Sequence, residues 1–192
     1  TECVYMTRPR PPKRHRRIHS VRIDDLEVGA IAWRRLRAQG RRHLVVVTQS
    51  LAQFTQQARL RGFRAAAAAD GFEIPDGQVV ELGRPDDPIG RLSEAVARRM
   101  GRRRGDGAFA LTGISTLRAY QQLAASGVRI PDDVAFIGFD DFPWAPYIAT
   151  PLTLIAQPAF DMGVRAAELI IEEPKRSQEI VLPPVLVERL SG

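Results

Sequence analysis

The run Val134-Ala135-Phe136-Ile137 is apolar throughout and closed by breakers, Pro131-Asp132-Asp133 before it and Gly138 after it. Consecutive apolar residues leave no polar face, so this segment suits a strand buried on both sides, as in a parallel sheet. Parallel strands cannot be joined by tight hairpins and need crossover connections, usually helices. Asp140 and Asp141 follow directly, just past the strand's C-terminal end. Open α/β sheets bind ligands in the crevice at that end. The next stretch, Phe142–Pro151, is interrupted by Pro143, Pro146 and Pro151 and cannot be regular helix. It reads as a hinge-like connection.

The rest of the chain repeats the alternation. Strands are expected over Thr1–Met6, Ile18–Ile23, Leu44–Val47, Gln78–Leu82, Ala108–Leu111 and Leu152–Ala156. Helices are expected over Leu26–Gln39, Leu51–Asp70, Pro88–Met100, Ile114–Ser126 and Phe160–Glu172. Asp24 or Asp25 can cap the first, and Gly40 ends it. Its inward face is predicted to carry Leu26, Gly29 or Ala30, Trp33 and Leu36, and that of the fourth Leu117, Tyr120 and Leu123 or Ala124. Gly101–Gly107 reads as a basic turn, and Glu179–Glu188, broken by Pro183-Pro184, as one or two edge strands. Four strand–helix alternations joined by short connections predict an α/β fold, a doubly wound parallel sheet.

Charge narrows the partners less than it first suggests. The net charge is +6, but only Lys13 and Lys175 are lysines, so arginine supplies nearly all of it. Arg8–Arg17, with three prolines among like charges, reads as a solvated loop. The single cysteine, Cys3, rules out an intrachain disulfide and fits a reducing, cytoplasmic setting. No apolar run is long enough to span a bilayer, so no membrane partner is expected. Val4-Tyr5-Met6 looks like the inside of a strand with no neighbour before it, which suggests that the chain is part of something longer.

Catalytic signatures are missing. The sequence has no nucleophile elbow, no phosphate-binding glycine-rich loop and no dinucleotide fingerprint. One Cys and three His give little basis for a metal site, and no cofactor is expected. Binding suits the residues better. Thr55 and Arg59 lie four apart on one helix face just beyond a strand end, and Asp140 lies beyond another. A carboxylate accepts hydroxyl hydrogen bonds and an arginine fork donates several. Asp141, the neighbour of Asp140, is expected to brace the loop. The chain is therefore read as a binding protein, not an enzyme.

Several motifs fall in a recognisable order. They are Asp24 through Gly29-Ala30, Leu36 and Gly40-Arg41; Arg59-x-x-Gly62-Phe63; and Gly127–Val134. Ile137-Gly138-Phe139-Asp140-Asp141, Pro151-Leu152-Thr153, Gln157-Pro158, Met162-Gly163 and Ala166-Ala167 complete the set. Together they resemble the lactose-repressor/galactose-repressor family of bacterial transcription regulators, over nearly the whole chain.

The resemblance implies a two-lobed, type I periplasmic-binding-protein-like fold with a small polar effector such as a sugar in the interlobe cleft. It also implies a homodimer, and operator DNA gripped by a helix-turn-helix not found in this sequence. On that pattern residues 1–23 end a partial N-terminal lobe and 24–148 form the C-terminal lobe. Residues 149–174 cross and return as a helix to the N-terminal lobe, and 175–192 give the final strands of the C-terminal lobe. Carried over residue by residue, Arg59 and Asp140 match effector-contacting positions. Thr55 matches a small hydroxyl position and Gln157 a polar residue on a crossing strand. Thr112-Gly113 stands where the family commonly has Asn-Asp, leaving Thr112 the polar candidate there, and Thr7 stands where Asp is frequent. A periplasmic-type sugar receptor shares the fold and is the alternative.

Overall fold

The computed structural model describes residues 3–7, 18–82 and 106–192. The Arg8–Arg17 loop, the helix expected over Pro88–Met100 and most of the basic turn lie outside the described residues. In chain order the elements begin β1 (Cys3–Met6), β2 (Ile18–Ile23), α1 (Asp25–Ala38), β3 (His43–Thr48) and α2 (Phe54–Ala69). Next come β4 (Val79–Glu81), β5 (Asp106–Ala110), α3 (Gly113–Ala125) and β6 (Val134–Phe139). The last are β7 (Thr153–Ala156), α4 (Ala159–Glu172), β8 (Glu179–Leu182) and β9 (Val185–Val187).

These elements form two compact units. One comprises Thr1–Asp24 and Gln157–Val185, the other Asp25–Ala156 and Leu186–Gly192. The smaller unit is built on a three-stranded sheet ordered β1-β2-β8, with both pairings parallel. Helix α4 packs on β1 and β2 through Met162, Ala166 and Leu169, which recur at helical spacing and are buried.

The larger unit holds a six-stranded sheet ordered β4-β3-β5-β6-β7-β9. The pairings from β4 through β7 are all parallel. Its core strands are buried along their whole length, as a sheet covered on both faces requires. Period-two alternation separates those faces. Val45, Val47, Ala108, Ala110, Val134 and Phe136 cluster with Ala119 and Leu123 of α3. From the other face, Phe109 of β5 stacks on Phe63 of α2 at 5.5 Å, and Trp33 of α1 meets Phe63 edge-on at 5.5 Å. Helices therefore cover both sides, the doubly wound arrangement.

Topology also marks a place for a ligand. From β3 the chain moves outward to β4, then returns to add β5 on the opposite side of β3. Such a reversal is a topological switch point, where a crevice opens at the strands' carboxyl ends.

The structure corrects several sequence expectations. Leu26 is 51% exposed, and the inward face of α1 starts one residue earlier, at Asp25, running on through Val28, Gly29, Ala32, Trp33 and Leu36. A charged residue holds the first inward place, for a reason given below. In α3 Leu117 is 39% exposed, and Ala124 is exposed too. Leu123 is buried as expected, and Ser115, Thr116, Ala119 and Gln122 face inward with it, the small Thr116 hydroxyl letting the helix approach the sheet and bond to β6. Asp106 and Gly107, expected in a turn, belong to β5. There Gly107 faces Leu44 and Leu36 so closely that a Cβ would lie 2.7 Å from one and 3.0 Å from the other. The segment expected to supply final strands of the larger lobe is divided: β8 pairs with β2 in the smaller unit, and β9 joins the larger sheet. Residues 149–156 stay within the larger unit, as does all of Phe142–Pro151.

Candidate functional site

Arg59 lies in the second turn of α2, the helix that leaves the carboxyl end of β3, and only 5% of it is exposed. A buried guanidinium is costly unless its charge and donors are met. Here they are. Nε donates to Asp25 Oδ1 at 2.8 Å, Nη1 donates to the Leu111 carbonyl at 2.6 Å, and the guanidinium carbon sits 3.5 Å from the centre of the Phe139 ring. Burial holds the Arg59 pKa below its ordinary value, while the charge and hydrogen bond of Asp25, and the charge of Asp140, oppose that shift. This explains why α1 turns Asp25 inward at its first residue. The partner of Arg59 was missed by sequence reasoning, although a charged helix face beside a strand end calls for a counter-charge, and Asp24-Asp25 occupies such a place.

Asp140 follows the end of β6 with φ +66, a left-handed conformation that Asp adopts more readily than most residues. Its N–H donates to the Ile155 carbonyl at 3.0 Å. This backbone turn sends the two adjacent aspartates in different directions. Asp141 reaches Arg189, at 2.8 Å to Nη1 and 3.0 Å to Nη2, and so braces the loop. Asp140 instead points to the start of α3, where its Oδ2 would lie only 3.1 Å from a Cβ placed on Gly113. The Phe142 ring fills the same space, with Cζ 2.5 Å from that point, and stacks on Trp144 at 5.2 Å. The absence of a side chain at 113 is thus what admits both groups.

Thr112 is the N-cap of α3. Its hydroxyl accepts from the Ser115 N–H at 3.2 Å, and Ser115 Oγ accepts from the Thr112 N–H at 2.9 Å, a reciprocal capping box. Thr116 hydroxyl accepts from the Phe139 N–H at 2.9 Å, pinning the same helix end to β6. Thr55 is half-buried in the first turn of α2, one turn before Arg59. The larger unit therefore brings Arg59, Asp140 and Thr112 to one corner, the carboxyl ends of β5 and β6. Gln157 belongs to the smaller unit. The corner offers a carboxylate, a guanidinium, helix-end polar groups and aromatic faces, a set suited to holding a polyhydroxylated molecule. Among the described residues, no group of three or more His, Cys, Asp or Glu is placed to hold a metal ion.

The sequence of residues 33–191 matches the family described as periplasmic binding protein-like domain. The chain belongs to that family. Its relatives place this periplasmic-binding-protein-like chain in the lactose-repressor/galactose-repressor group. It is 31% identical over 172 residues to the ribose operon repressor of Escherichia coli K12, covering 85% of this chain and 50% of the relative. Among solved structures it is similar to the complex of the transcriptional regulator CelR with cellobiose. The TM-score is 0.79 and the identity 29%, over 98% of this chain and 58% of that one. It is also similar to a LacI family transcriptional regulator from Enterococcus faecium with bound ribose, with a TM-score of 0.77 and 26% identity over 93% and 67%. The periplasmic-binding-protein-like chain spans about half the length of the curated relatives it matches. Those relatives are transcriptional regulators rather than enzymes. No helix among the described residues is long and apolar enough to cross a membrane.

Proposed function

We propose that this chain is the effector-binding and dimerisation core of a bacterial transcriptional repressor. It binds a small polar ligand such as a sugar, and that binding controls the grip of a helix-turn-helix, outside these residues, on operator DNA. The observation that carries the proposal is the buried Arg59 beside Asp140 at the switch point of the larger sheet. Arg59 and Asp140 are the principal contacts, and Thr55 and Thr112 add polar ones. Relatives and neighbours named for ribose and cellobiose support a sugar, and their naming as regulators favours this reading over a periplasmic receptor. Effector binding acts by shifting the population between two arrangements of the full protein. A homodimer is supported by Phe160, Val164 and Ile171, which leave an apolar stripe exposed on α4. No catalytic step is assigned to it, and a cytoplasmic location follows from the regulatory role.

Titration calorimetry of the chain against a panel that includes ribose and cellobiose tests the proposal. A saturable ligand whose affinity falls in Asp140→Asn is the expected result. Unchanged affinity in that variant removes Asp140 from the site, and a panel without any ligand counts against the reading.

A further inference from the structure

Arg59 comes to the site with its charge already answered. Its Nε bonds Asp25 at 2.8 Å, both side chains are almost wholly buried at 6% and 2% exposure, and the ring of Phe139 covers one face of the guanidinium. Asp140 adds a second carboxylate whose charge acts on the same guanidinium. One buried cation therefore stands against two carboxylates. An anion brought to this corner would meet an arginine whose attraction Asp25 has largely cancelled, together with the repulsion of Asp140, in surroundings where water screens little. Hydroxyl groups face no such penalty. Asp140 accepts from them, and the guanidinium has donors beyond the two that bind Asp25 and Leu111. The flat pair Phe142 and Trp144, stacked 9° from parallel, adds apolar faces beside the carboxylate.

We infer that Asp25 is a specificity-determining residue, and that by neutralising Arg59 it restricts this site to uncharged polyhydroxylated ligands and rejects their phosphorylated or carboxylated forms. The inference rests on the proposed function and deepens it. Asp25 acts through Arg59 and touches no ligand itself. Its effect is selective, because Asn in its place still accepts the Nε hydrogen bond but no longer cancels the charge.

The test has two arms. The first titrates the wild-type chain with neutral sugars paired with their anionic derivatives: ribose with ribose 5-phosphate, glucose with glucose 6-phosphate and with glucuronate, and cellobiose with cellobionate. The expected result is one neutral sugar that binds, with its anionic partner at least ~10-fold weaker. An anionic member that binds as tightly as its neutral partner, or more tightly, overturns the inference and leaves the proposed function standing. If no member of any pair binds, the proposed function falls and this inference falls with it.

The second arm needs no knowledge of the effector. Thermal midpoints of wild type, Asp25→Asn and Asp25→Asn/Arg59→Gln are compared in inorganic phosphate and in chloride of matched ionic strength. Asp25→Asn should gain a phosphate-dependent rise absent from wild type and lost again in the double variant. Equal phosphate responses in all three proteins overturn the role given to Asp25. Should Asp25→Asn not fold, the wild-type titrations decide alone.

Discussion

Gly29 of α1 and Gly62 of α2 each lie against the backbone of the facing helix. A Cβ on Gly29 would overlap the Arg59 carbonyl oxygen across the α1–α2 contact, and one on Gly62 would overlap that of Leu26. The two glycines set how closely α1 and α2 approach, and the approach in turn brings Asp25 within bonding distance of Arg59. Gly29→Ala and Gly62→Ala should each destabilise the chain by roughly 1–3 kcal/mol or more, because backbone atoms cannot move aside as a flexible side chain can. Urea unfolding midpoints measure the loss. A midpoint unchanged in either variant would show that the helices can separate at little cost.

Removing one member of the Arg59–Asp25 pair should cost far more than an exposed ion pair does. Arg59→Ala strands a buried carboxylate and is expected to lose about 3–5 kcal/mol. The double variant Asp25→Ala/Arg59→Ala should recover part of that loss, since no unpaired charge is left inside. A double-mutant cycle read by chemical denaturation checks this: additive losses would mean that the two side chains are not coupled.

Asp140 and Asp141 should behave differently despite being neighbours. Asp141→Asn weakens a partly exposed pair with Arg189 and should cost under about 1 kcal/mol, with ligand affinity unchanged. Asp140→Asn preserves the left-handed backbone that Asn also tolerates, but it removes the charged acceptor. On the proposed function it should weaken effector binding by on the order of 1.5–3 kcal/mol. Calorimetry on both variants separates the roles, and equal effects would contradict the division of labour.

Ser191 is buried and joins two strands. Its hydroxyl donates to the Phe136 carbonyl at 2.7 Å and accepts from the Thr153 N–H at 2.7 Å. Ser191→Ala leaves both backbone groups buried without that partner, at a cost of about 1–3 kcal/mol. Amide hydrogen exchange at Thr153 should speed up in the variant. Exchange as slow as in wild type would indicate another acceptor.

Strands were legible in the sequence wherever apolar residues ran without interruption, as at Val134–Ile137, because a sheet buried on both faces permits little else. Helix faces were harder. Leu26 and Leu117 follow an apolar period yet face outward, since the sequence cannot show that Asp25 has a buried partner 34 residues later or that Thr116 bonds to β6. That Asp140 and Asp141 part, and that Asp141 braces the loop, was legible from the way adjacent residues diverge after a strand. Phe142 in the space left by Gly113 was not, because its ring approaches from a segment with no periodicity to read.

The larger unit is assembled from two stretches with residues 157–185 between them. A nascent chain that ends at residue 185 already contains Asp25, Arg59 and Asp140. It still lacks the hydroxyl that joins Phe136 to Thr153 and the arginine that holds Asp141. Synthesis therefore delivers these three residues early and the fastening of their corner late, and the corner cannot be fully locked until residues 186–192 have cleared the ribosome.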